Sequence, residues 1–148
     1  MKRYRFSLQK VLDYNDHLQK SEAEGMSRLL AEYRSLEARH ESLILSHREE
    51  SMRFQADCAV GQTAGQAAAR GAYLKDLARE IDRSRAELAR QGERVEAQRK
   101  RLIAVTQEKE ITEKLREHSW AEYQAAERKG EESFIEEFLA NRTAQERS

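Results

Sequence analysis

The chain has no proline, a single cysteine and only six glycines among 148 residues. Without proline, no helix is interrupted by a missing amide or a ring clash. One cysteine, Cys58, rules out an intrachain disulfide and fits a reducing compartment. Aromatic residues make up 7% of the sequence, and no run approaches the ~18–20 apolar residues of a membrane span. The basic N-terminus lacks the apolar core of a signal peptide, so a soluble, cytoplasmic protein is expected. A surplus of one charge is also missing: Lys+Arg and Asp+Glu each number 27. A nucleic-acid binder draws its affinity from phosphate neutralisation and carries a basic surplus, so that class is disfavoured.

What is present is periodicity in a chain that is 36% charged and 39% hydrophobic. A first stretch places Leu8, Leu12, Asn15, Gln19, Glu22, Met26, Leu29, Tyr33, Leu36, His40, Leu43, His47, Glu50 and Phe54 at alternating spacings of three and four. These are the a and d positions of a coiled coil. A second stretch repeats a clean seven in Leu74, Ile81, Leu88, Val95 and Leu102. Lys109 breaks that series, and it resumes out of phase at Ile111 and Leu115, which reads as a stutter. Between the stretches lie Gly61, Gly65 and Gly71. Periodic rather than scattered apolar residues argue against disorder. The expected fold is all-α, a long antiparallel two-helix coiled-coil hairpin. It forms a single coiled-coil domain over 1–148, with helix 1 over about 7–58, a connection at 59–71, helix 2 over about 72–139 and a frayed tail at 140–148. Ser7 is the candidate N-cap of the first helix, and Ala67-Ala68-Ala69 reads as a helical turn inside the connection. Gly25 weakens the first helix, by ~1 kcal/mol against alanine.

At ~1.5 Å per residue the helices span ~75 Å and ~100 Å, so part of the second overhangs the first. Trp120, Tyr123, Phe134, Ile135, Phe138 and Leu139 fall toward that end. They either pack on Phe6, Leu8, Val11 and Leu12 or form an exposed apolar end for a partner. Lys2, Arg3, Arg5, Lys10 and Lys20 make the N-terminal stretch basic. Glu131, Glu132, Glu136, Glu137 and Glu146, against Arg142 and Arg147, make the tail acidic, and in a hairpin the two are expected to face each other. Near the bend, Phe54 and Tyr73 are placed to meet.

Motifs that carry chemistry fail one by one. His40-Glu41 opens like a zinc-protease motif, but position 44 is Ile. His40 and His47 are ~10 Å apart along a helix, too far to share one ion, and read as polar seam residues. No Lys-Ser or Lys-Thr follows the glycines, so a phosphate loop is not supported. Cys58 has no histidine at fixed spacing and reads as a small apolar filler. No catalytic residue, metal or cofactor is expected. A hairpin of this kind works through its faces and its ends.

The opening Arg5-Phe6-Ser7-Leu8-Gln9-Lys10-Val11-Leu12 resembles the start of the flagellar export protein FliJ family. Many members begin with a basic Phe-x-Leu-Gln-x-Val-Leu stretch. The resemblance continues through Arg28-Leu29-Leu30 and Arg99-Lys100-Arg101-Leu102 to Ile135-Glu136-Glu137-Phe138, which resembles the family's acidic, Phe-bearing C-terminal segment. FliJ-like proteins are antiparallel coiled coils similar to the stalk subunit of rotary ATPases. The resemblance implies a non-enzymatic component of the flagellar type III export apparatus, held at the inner face of the cell membrane through its partners. Those partners are the hexameric export ATPase FliI, the cytoplasmic domain of the export gate protein FlhA, and export chaperones. It further implies ATPase-ring contacts at Phe6, Leu8, Val11, Leu12, Phe134 and Phe138, and gate contacts at Leu43, His47, Phe54, Tyr73 and Leu77. The rival readings are the equivalent stalk protein of a virulence secretion system and a generic coiled-coil adaptor or homodimer.

Overall fold

The computed structural model describes residues 3–147, so Met1, Lys2 and Ser148 lie outside the described residues. Two helices account for nearly all of them: α1, Gln9–Val60, and α2, Ala64–Glu146. There is no strand among the described residues. The fold is an all-α helical hairpin, as the periodicity predicts.

The turn is far shorter than the expected 59–71: residues 61–63 separate the helices. Its brevity comes from two local devices. Gly61 has a φ of 114°, and its amide donates to the Asp57 carbonyl at 3.0 Å. A residue of positive φ there closes the last turn of α1, and only glycine enters that region without a Cβ penalty. Thr63 then opens α2 with a capping box. Its hydroxyl accepts from the Gln66 amide at 3.1 Å, while the Gln66 side chain accepts from the Thr63 amide at 3.4 Å. The first helical bond runs from the Ala67 amide to the Thr63 carbonyl. The alanine run at 67–69 therefore belongs to α2. At the other end, the first bond of α1 runs from the Leu12 amide to the Leu8 carbonyl, which makes Leu8 rather than Ser7 the residue at the cap. The expected frayed tail is helical through Glu146.

The chain divides into two compact units: Met1–Lys20 with Ile103–Ser148, and Ser21–Leu102. In the second, the helices run antiparallel through a thin seam. Every expected seam residue of α1 from Met26 to Phe54 is buried or half-buried there. On α2 the apolar residues from Leu74 to Leu102 alternate with a second series at the same spacing, Leu77, Ser84, Gln91 and Gln98, all buried. The polar members reach back to α1. Gln91 donates to the Leu29 carbonyl at 3.2 Å and the Glu32 carboxylate at 3.1 Å. Gln98 donates to the Glu22 carbonyl at 2.9 Å and also to the Glu22 carboxylate. Ser84 meets His40 Nδ1 at 3.2 Å, so His40 is a seam residue with a partner. Gly25 leaves room for this network, since a Cβ on it would lie 3.2 Å from Gln98 Nε2.

In the first unit the seam carries on in phase and turns polar. Asn15 Nδ2 donates to Thr112 Oγ1 at 3.2 Å, and Gln19 donates to Thr106 Oγ1 at 3.2 Å. Lys109 holds the seam position where an apolar residue is absent. Its ammonium donates to Asp16 at 2.8 Å and to Gln19 Oε1 at 2.9 Å. The expected stutter is therefore absent. Ile111 and Leu115 are 60% and 48% exposed, because the in-phase positions are filled by a hydrogen-bonding Lys and Thr rather than left vacant.

Candidate docking surfaces

Each of the two units presents one candidate surface. In the Ser21–Leu102 unit the surface lies beside the turn. Arg70 is fixed there by three neighbours: Asp57 as a hydrogen-bonded ion pair, Glu50 at 3.6 Å, and the Phe54 ring, whose centroid lies 5.8 Å from the guanidinium carbon. The Asp57 carboxylate, through its hydrogen bond, pushes the Arg70 pKa up from its ordinary value, with smaller contributions from Coulombic attraction to Asp57 and Glu50. Phe54 thus faces Arg70, not the expected Tyr73, which is half-exposed one turn further along α2. Cys58 is exposed, which corrects its reading as an apolar filler: the shared seam has ended by that point. Leu43 and His47 are half-buried. Leu77 is 6% exposed and serves the seam. The five expected gate residues therefore share one end of the hairpin but differ in access, with Tyr73 the most accessible.

In the other unit the surface begins where the N-terminal segment crosses α2. Tyr4 packs edge-on against Trp120, with centroids 4.8 Å apart and planes at 74°, and tilts against Tyr123 at 5.2 Å. Trp120 and Tyr123 stack on each other at 5.6 Å. The Tyr4 hydroxyl donates to the Arg116 carbonyl at 3.4 Å. Tyr123 donates to Glu127 at 2.9 Å, and that bond raises its pKa from the ordinary phenol value. Arg3, Arg5, Lys10 and Arg116 line a concavity of about 530 Å³ beside Tyr4 and Phe6. Phe6 is half-buried, Leu8 and Val11 are exposed, and Leu12 is buried in the seam.

Phe134 and Phe138 stand apart from this group. The described N-terminal segment is met by Trp120 and Tyr123, and every described residue from Arg128 onward is exposed. The acidic tail therefore does not face the basic segment. The two heptad series of the α2 seam lead on from Tyr123 through Ala126, Gly130 and Ser133 to Glu137, so Phe134 and Phe138 lie beside that line. Phe134, Ile135, Phe138 and Leu139 are 70%, 55%, 59% and 53% exposed on that stretch.

A sequence model for the family described as Flagellar FliJ protein matches residues 4–148. The chain belongs to the FliJ family. No curated protein and no solved structure matches it. The family is a component of the flagellar export apparatus, and its members are not the catalysts of that apparatus. No helix among the described residues is long and apolar enough to cross a membrane.

Proposed function

We propose that this FliJ family member is a stalk-like subunit that docks its open end into the hexameric export ATPase FliI. The Ser21–Leu102 unit, around the turn, contacts the gate protein FlhA, and the chain escorts export chaperones. The carrying observation is the stretch of α2 from Arg128 onward, which is exposed throughout and presents Phe134 and Phe138 uncovered. The ring contacts are Phe134 and Phe138 with Phe6, Leu8 and Val11, and Leu12 holds that surface from within the seam. The gate contacts are Tyr73, Phe54, His47 and Leu43, with Leu77 supporting them from below. The protein then acts at the inner face of the cell membrane through its partners, in the pathway that builds flagella and so supports motility and chemotaxis.

The mechanism is a bias, not a reaction. A ligand shifts an equilibrium only by its differential affinity for the states. A two-helix hairpin presents unlike faces to chemically identical ring subunits, so it favours ring states in which those subunits differ. Purified export ATPase is expected to form hexamers at lower concentration and turn over faster when this chain is added. Phe134→Asp with Phe138→Asp is expected to abolish the stimulation without changing the helical circular dichroism spectrum. Unchanged assembly and turnover on adding the unsubstituted chain rejects the reading.

A further inference from the structure

The exposed stretch of α2 is also complementary to itself. Phe134, Ile135, Phe138 and Leu139 occupy two adjacent helical turns and share one face. Counting in steps of four, three and four, Glu131, Ile135, Phe138 and Arg142 run along the middle of that face. One turn before the apolar patch there is an acid, and one turn after it a base. At ~100° per residue, Glu136 and Glu137 fall on other sides of the helix. Arg142 has an i,i+4 contact with Glu146 at 3.6 Å in which both side chains are about 70% exposed. Exposed pairs of this kind contribute little and re-partner readily.

We infer that the face of α2 around Phe134 to Leu139 pairs antiparallel with the same face of a second copy of this chain. A two-fold axis between residues 136 and 137 sets Phe134 against Leu139 of the second copy and Ile135 against its Phe138. It also places Glu131 against Arg142 at both ends of the patch. A parallel pair sets Glu131 on Glu131 and Arg142 on Arg142, two like-charge contacts, so charge selects the antiparallel orientation. An isologous contact of this sort closes on itself and stops at the dimer. The four side chains offer roughly 400 Å² per copy, taking ~150–250 Å² for a large side chain at the exposures above. A tight interface needs about 800 Å² per partner, so association belongs in the micromolar range. The pairing covers Phe134 and Phe138, hence the dimer and the docked form exclude each other.

Sedimentation equilibrium of the full chain under reducing conditions, from low to high micromolar, tests this. The reductant removes any crosslink through exposed Cys58. The expected result is a monomer–dimer equilibrium that Ile135→Asp abolishes and Arg142→Glu weakens about tenfold or more. Glu131→Arg combined with Arg142→Glu is expected to restore it, because the charge pattern is reversed but still complementary. A monomer at every concentration overturns the inference, as does a dimer indifferent to Ile135→Asp or one that the double reversal fails to rescue. The measurement contains no ATPase. A monomeric chain that still stimulates the ATPase therefore removes the self-pairing and leaves the docking proposal standing, and the converse result separates them equally well.

Discussion

Gly25 and Gly92 both sit inside helices, where each gives up about 1 kcal/mol against alanine, yet their surroundings differ. A Cβ at Gly92 meets Tyr33 Cε2 at 3.6 Å, an ordinary contact, whereas one at Gly25 meets Gln98 Nε2 at 3.2 Å. Gln98 cannot withdraw freely, because the same nitrogen serves the Glu22 carbonyl and carboxylate. Losing a buried hydrogen bond costs ~1 kcal/mol or more, which cancels the gain in helix propensity. Gly92→Ala is therefore expected to stabilise the chain by about 0.5–1 kcal/mol in urea titration. Gly25→Ala is expected to give no gain, and in combination with Gln98→Ala to recover part of it. Gly25 was legible in the sequence as a weakness in the helix. Its partner was not, because a close approach across a seam depends on register, which one helix's pattern does not contain.

At the scale of the element, the two helices differ in how openly their sequences declare them. The α1 seam could be read position by position because its residues keep the three-four spacing even where they are polar. On α2 the apolar heptad from Leu74 to Leu102 was equally plain. Its companion series was not, since Ser84, Gln91 and Gln98 are polar types that resemble solvent positions. Their fixed spacing of seven was the available signal. The apparent stutter has the same origin: Ile111 and Leu115 are apolar but exposed, whereas Lys109 and Thr112 hold the seam by hydrogen bonds. The turn is shorter than its glycines imply for a different reason. Glycines at 61, 65 and 71 suggested a long connection, but Thr63-Ala64-Gly65-Gln66 is a capping-box sequence that starts a helix within it. Thr63→Ala removes the accepting hydroxyl and is expected to cost about 1 kcal/mol. Gly61→Ala forces an L residue to a φ of 114° and is expected to cost about 1–2 kcal/mol. Both are measurable as lowered midpoints in urea. Gly65→Ala has open space around it and gains helix propensity, so it is expected to raise the midpoint. That sign distinguishes a short turn from a long glycine loop.

Across the whole molecule the seam is thin. Among the described residues no large side chain is fully buried, and stability rests on a single row of contacts whose character changes along the chain. The Ser21–Leu102 unit interleaves its glutamines with Leu, Ile and Val. The unit containing the termini buries Leu12 and otherwise relies on Asn15, Gln19, Lys109 and Thr112, together with the Tyr4 stack. That stack was not legible in the sequence, because Tyr4 precedes the helix and has no periodic position. Hydrogen bonds between groups that water solvates well give a net of only ~1 kcal/mol each, while a buried Leu or Ile contributes ~1.5–3 kcal/mol, so the terminal unit is expected to open first. Trp120 is the only tryptophan and stacks on Tyr4 and Tyr123, so its fluorescence reports that unit alone, whereas far-ultraviolet circular dichroism averages over both. On heating, the fluorescence transition is expected to precede the loss of helicity. The gap also depends on pH with a definite sign. The Lys109 ammonium, by its hydrogen bond, and then Lys20 hold the Asp16 carboxyl below its ordinary value of 3.8. A folded value below the unfolded one means that the contribution is complete above the unfolded pKa and is lost as pH falls through the folded one. Lys109 is raised above its ordinary 10.5, chiefly by the hydrogen bond it donates to Asp16, so its contribution is present below that value and is lost as pH rises past the folded one. The fluorescence midpoint is therefore expected to be flat between these limits and to fall outside them. The shift is small, because both groups are partly solvated and screened. In Lys109→Met the acid limb attributable to Asp16 is expected to shrink while the later helical transition stays where it was. A fluorescence midpoint that coincides with the helical one at every pH contradicts the division of stability between the two units.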